Sequence, residues 1–92
     1  MKYRTSIQIT AELLNSTKDS GMNGIKTTNL IQKTNMSHNR LKTLLFNLTN
    51  IGLINEIKFD GKNTFVITQK GIIFLDEYSR FNELANSFGL EL

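Results

Sequence analysis

Apolar positions recur at helical spacing over most of this chain and give way to strand-like spacing in its second half. Leu41, Leu44, Leu45 and Leu48 fall at i, i+3, i+4 and i+7, a single stripe of a 3.6-residue helix. His38, Asn39, Lys42, Thr43 and Asn47 fall elsewhere around the same axis, so the leucines can hold the helix while the polar residues face outward. Upstream, Ile7, Ala11 and Leu14 mark a first helix. Thr5 is its expected N-cap, with Gln8 reaching back in a capping box, and the helix ends near Asp19. Ser20, Gly21, Asn23 and Gly24 read as a loop, and Ile25 with Lys26 as the stub of a strand. Thr27 or Thr28 is the expected cap of a short second helix through Leu30 and Ile31. Asn35 and Met36 make the next turn, since Asn tolerates the left-handed conformation that ends a helix, and Ser37 caps the leucine-striped helix.

Gly52 supplies the positive φ that stops that helix. Leu53 to Phe59 then reads as a strand with Leu53, Ile57 and Phe59 on one face, and Asp60-Gly61 as a tight turn. Thr64 to Ile67 returns as a second strand with Phe65 and Ile67 facing the core. Thr68 caps a last helix running from about Gln69 to Phe88, with Gly71 near its start as a close-packing or turn position. Helix, short helix, turn, amphipathic helix and hairpin in this order build a winged helix-turn-helix. The fold class is therefore mainly α (α+β), with a winged domain over residues 1–68, a short β-hairpin wing backed by at most one further strand, and a long C-terminal helix over residues 69–92.

Phe74, Tyr78, Phe81, Ala85 and Phe88 step by four, three, four and three along that last helix, the a/d seam of a coiled coil, while Ile72, Ile73 and Leu75 remain to hold it to its own domain. One reading wraps the whole helix onto its own subunit. The other leaves the aromatics beyond residue 77 uncovered by so small a domain and pairs two copies through them, as an antiparallel homodimer.

At 92 residues the chain has room for one domain, and a core of that size gains from a partner subunit. The absence of cysteine excludes a disulfide framework, and one histidine without clustered carboxylates excludes the usual zinc sites. There is no Ser/His/Asp order and no glycine-rich phosphate loop, and Glu12, Asp19, Glu56 and Asp60 are scattered over different elements, so no catalytic residues, metal, cofactor or small-molecule ligand are expected. No apolar run approaches the ~20 residues of a membrane span, and Met1 to Thr10 lacks the pattern of a signal peptide. A cytoplasmic protein follows as the expectation.

The net charge of +3 matters less than where it lies. Met1 to Thr68 holds nine Lys/Arg against four Asp/Glu, whereas Gln69 to Leu92 holds two against four. Between Asp19 and Glu56 there is no acidic residue, although Lys26, Lys33, Arg40 and Lys42 lie there. A basic face on a helix-turn-helix points to duplex DNA. Ser37, His38, Asn39 and Arg40, followed by Lys42 and Thr43, occupy the part of a recognition helix that meets base edges, where Asn pairs with adenine and Arg with guanine. Lys58, Lys62 and Asn63 on the wing suit backbone phosphates or the minor groove. Lys26, Thr27 and Thr28 offer free amides and a positive helix end as a phosphate anchor. The plainer reading of these groups is capping and solubility, under which the domain is a protein-protein interaction module whose basic face is incidental.

The Asn35-Met36-Ser37 turn, the Leu44 to Leu48 run leading into Ile51-Gly52-Leu53-Ile54, and Ile67-Thr68-Gln69-Lys70-Gly71 opening the last helix carry a resemblance over nearly the whole chain. With them the sequence resembles the small archaeal winged-helix proteins that pair through a C-terminal antiparallel helix. The resemblance implies DNA binding as a homodimer, as a transcriptional regulator or a nucleoid-associated protein.

Overall fold

The computed structural model describes residues 5–90, so the outermost ends of the two expected segments, 1–4 and 91–92, lie outside the described residues. Helix α1 spans Ser6–Asp19, α2 Thr27–Thr34, α3 His38–Asn50 and α4 Gln69–Ser87, with a 3-10 turn at Gly21–Asn23. Strands β1 (Ile54–Phe59) and β2 (Lys62–Ile67) form an antiparallel hairpin.

Local chemistry accounts for most of the boundaries. The Thr5 hydroxyl accepts from the Gln8 N–H at 3.1 Å and the Gln8 side chain accepts from the Thr5 N–H at 2.8 Å, the reciprocal box expected there. Asn35 ends α2 in the left-handed region at φ 55°. The Ser37 hydroxyl caps α3 by accepting from the Arg40 N–H. Gly52, at φ 86°, turns the chain out of α3. The Leu53 N–H returns to the Leu48 carbonyl at 3.0 Å and the Gly52 N–H to Thr49 at 3.1 Å, the paired bonds of a Schellman turn. Thr68 caps α4 by accepting from the Gly71 N–H, and its hydroxyl donates to the Gly52 carbonyl, tying the end of α3 to the start of α4. Asp60 and Gly61 alone separate the Phe59–Lys62 pair, both at positive φ (53° and 76°), the geometry of a type I′ hairpin.

A single core gathers Ala11, Leu13 and Leu14 of α1, Leu30 of α2, Leu41, Leu45 and Leu48 of α3, Ile54, Phe65 and Leu75. Phe74 and Tyr78 pack against it, so the first half of α4 shares the core of the elements before it. Gly71 is fixed by that packing: a Cβ there would overlap the Leu53 carbonyl and the Ile67 side chain. Ile25 joins the sheet through a bridge to Phe65, donating to and accepting from its backbone at 2.9 Å in each direction.

Some local expectations are corrected. The N-cap of α2 is Lys26, with no side-chain cap, and Thr27 is already its first residue. The strand β1 begins at Ile54 because the Schellman turn takes up Leu53, and Ile54 rather than Leu53 is the fully buried residue. Phe59 is 45% exposed, since the hairpin end extends past the core it was expected to face. Pairing continues to Lys62, so β2 starts earlier than Thr64.

Candidate nucleic-acid interface

The buried stripe of α3 fixes which of its residues look outward. Leu41, Leu45 and Leu48 point to the core and Leu44 is half-buried, while His38, Asn39, Arg40, Lys42, Thr43, Phe46, Asn47 and Asn50 are exposed. Two clefts divide that outer surface. Lys42, Phe46, Thr49 and Asn50 line one with Thr27 of α2 and Glu56 and Phe65 of the hairpin. Asn39, Arg40, Thr43 and Asn47 line another with Ser6 and Ile9 of α1. The start of α2 and the hairpin therefore flank the Lys42 side of α3, and Arg40 lies on the opposite flank, toward α1.

The Ile25–Phe65 bridge has an electrostatic consequence. It carries Lys26, the residue that opens α2, alongside the hairpin, where its amine meets Lys62. The Lys62 side chain beside it, by close approach and then by its charge, holds the Lys26 amine below the ordinary lysine value, with Asp60 pulling the other way. Two exposed lysines are thus close together where the start of α2 meets the hairpin, beside the first amides of α2. An anion placed between them would relieve their repulsion. Lys58 is paired with Asn63 across the hairpin and both are exposed. Thr28 is exposed at the start of α2 and Thr27 half-buried. Ser37 spends a lone pair on its own helix as the α3 cap. Sequence reasoning missed two participants, Phe46 and Glu56. Phe46 was detectable as an apolar residue off the leucine stripe, whereas Glu56 enters the cleft only through the hairpin register.

Among the described residues no group of His, Cys, Asp and Glu is arranged to hold a metal ion, and no helix is long and apolar enough to cross a membrane. The family model for the winged helix-turn-helix matches residues 3–86, nearly the whole chain. The protein belongs to the winged helix-turn-helix family. The crystal structure of Sso10a-2, a DNA-binding protein from Sulfolobus solfataricus, superposes on this winged helix with a TM-score of 0.74 at 16% sequence identity, covering 92% of this chain and 85% of that one. A search of curated proteins finds no match.

A second surface of the winged helix lies on α4. Of the residues singled out as a seam, Phe74 and Tyr78 are half-buried against the core and Ala85 is buried, while Phe81 is 57% and Phe88 73% exposed. Leu84, one turn on from Phe81 and absent from the a/d reading, is exposed beside them. Its signal was the 81–84–88 spacing, which shifts the exposed stripe partway around the helix from the seam. Phe74, Tyr78 and Phe81 also line an apolar groove against Ile7 at the start of α1. The later part of α4 is hence mostly unpacked, with Ala85 the buried residue between Arg80 and Ser87.

Proposed function

We propose that this winged helix binds duplex DNA as a homodimer, with α3 in the major groove and the hairpin on the backbone, as a transcriptional regulator or nucleoid-associated protein. The observation that carries the reading is the exposed polar face of α3, flanked by the start of α2 and the hairpin, with Lys26 and Lys62 where those two elements meet. Two exposed like charges close together, next to the positive end of α2, suit a phosphate that accepts from both. Lys42 shares a cleft with Thr27, the residue after Lys26, and with Phe65 of the hairpin strand that carries Lys62, so one duplex can meet all three lysines. The fold shared with Sso10a-2, itself a DNA-binding protein, agrees with this use of the surface. Ser37, His38, Asn39, Arg40, Lys42 and Thr43 are the candidates for groove contact, and Lys26, Thr27, Thr28, Lys58, Lys62 and Asn63 for the backbone.

The proposed dimer rests on surface chemistry. Phe81, Leu84 and Phe88 form a stripe at i, i+3 and i+7 that one subunit leaves in water, and a twofold pairing covers both copies of it at once. A twofold dimer also presents two copies of α3 to successive turns of the duplex. Binding to random duplex DNA over a series of salt concentrations tests the reading. Affinity should fall steeply with salt, because each neutralised phosphate releases counterions. Weak, salt-insensitive binding would instead favour a protein-docking domain. Footprinting on genomic DNA then separates a regulator, with discrete protected sites, from a nucleoid protein with broad coverage.

A further inference from the structure

We propose that Phe46 is a specificity-determining residue that reads thymine, its ring packing on C5-methyl groups in the major groove. The inference rests on the DNA-binding reading above. Phe46 is 66% exposed in the body of α3, although Leu41, Leu45 and Leu48 of the same helix already fill the core. It therefore adds little to the packing of its own subunit. It lies one turn beyond Lys42 and shares a cleft with Lys42, Asn50 and Thr27, on the side of α3 that faces the hairpin. On this flank the Ile25–Phe65 bridge sets Lys26, just before α2, beside the hairpin strand that begins at Lys62. A phenyl ring offers no hydrogen bond to a base edge. Of the groups that bases present in the major groove, the thymine methyl is the apolar one, and apolar side chains recognise it by contact. Lys42 lines the same cleft and Glu56 stands on its hairpin wall, so the occupant is set by the outward face of α3 that the DNA-binding reading places in the groove.

The step along the helix is consistent with this contact. From His38 to Phe46 the axis advances by about 12 Å, so a helix lying along the groove can set its polar start and Phe46 over neighbouring base pairs. The Phe81–Leu84–Phe88 stripe lies on α4, a separate element, so a contact at Phe46 and a contact at α4 can be perturbed independently.

The test uses methyl deletion on the DNA. The full chain is titrated with an alternating dA·dT duplex and with the same duplex carrying dU for dT, which removes the methyl and leaves the pairing edge unchanged. The wild type should bind the dT duplex more tightly, by about fourfold for each methyl that the ring covers. Phe46→Ala should bind both duplexes alike, near the wild-type affinity for the dU duplex, with an unchanged salt slope and thermal midpoint. Equal wild-type affinity for dT and dU, or a dT preference that survives in Phe46→Ala, overturns the proposal while leaving the DNA reading intact. An absence of salt-dependent binding to either duplex removes the DNA reading, and this proposal with it. Loss of a dimer in Phe46→Ala, seen by sedimentation, would assign the ring to a protein contact and overturn it as well.

Discussion

At the scale of single residues, the meeting of Lys26 and Lys62 gives the interface a measurable signature. Lys62→Met removes the neighbouring ammonium, so the Lys26 amine should titrate at higher pH than in the wild type. A side-chain NMR titration reads that shift, and an unmoved Lys26 would show that the two amines do not meet in solution. The same variant should bind all duplexes more weakly, with a salt slope smaller by about one charge, because a phosphate contact carries no sequence information. Each lysine was legible as a candidate from its charge and position at a helix start or hairpin. Their proximity was not, since it depends on a backbone bridge between Ile25 and Phe65 that no local pattern encodes. The geometry also ranks the residues of α3. Lys42→Ala, on the hairpin side, should weaken binding more than Arg40→Ala, which lies toward α1. A loss of about 1–3 kcal/mol for Arg40→Ala, with relaxed preference at one base, would reverse that order and show that the duplex sits nearer α1.

At the scale of elements, the sequence was most legible where a single residue type has a local backbone role. Thr5 with Gln8, Asn35, Ser37, Gly52 and Asp60-Gly61 end or begin their elements by hydrogen bonds or positive φ that depend on few neighbours. It was least legible where packing arbitrates. Alternation put Leu53, Ile57 and Phe59 on the core face of β1, but the turn at Gly52 consumes Leu53 and the sheet presses Ile54 inward. The contact of α4 with the turn after α3 shows the same dependence at Gly71, where the helix start rests against the Leu53 carbonyl and Ile67. Gly71→Ala must force these apart. On helix propensity alone the substitution would stabilise by up to about 1 kcal/mol, so the overlap decides the sign. Urea unfolding should report a net loss on the order of 1–3 kcal/mol, as overpacking usually costs. A neutral or stabilised variant would mean that α4 sits further from the hairpin base than this packing requires.

At the scale of the whole molecule, α4 is the element through which the proposed dimer would form. Its first half is anchored by Leu75, Phe74 and Tyr78, and its second half carries Phe81, Leu84 and Phe88 into solvent. The a/d pattern signalled an apolar helix but could not apportion it, because Phe74 and Tyr78 serve the subunit's own core while Phe81 and Phe88 do not. This division makes the assembly testable without disturbing the fold. Phe81→Glu puts a carboxylate where the monomer is already 57% exposed, so the single subunit should keep its stability and helical content. In a dimer that pairs these stripes, the same carboxylate would be buried without a partner, at a cost of several kcal/mol, enough to separate the subunits at micromolar concentration. The wild type should therefore sediment as a dimer and Phe81→Glu as a folded monomer. On DNA the monomer loses the gain of two linked half-sites, whose centres lie about one helical turn or a multiple apart, so its affinity should fall on the order of a hundredfold or more although its contacting residues are intact. Wild-type protein that remains a monomer at tens of micromolar would sink the dimer, and α3 would then have to hold its site with the hairpin of a single subunit.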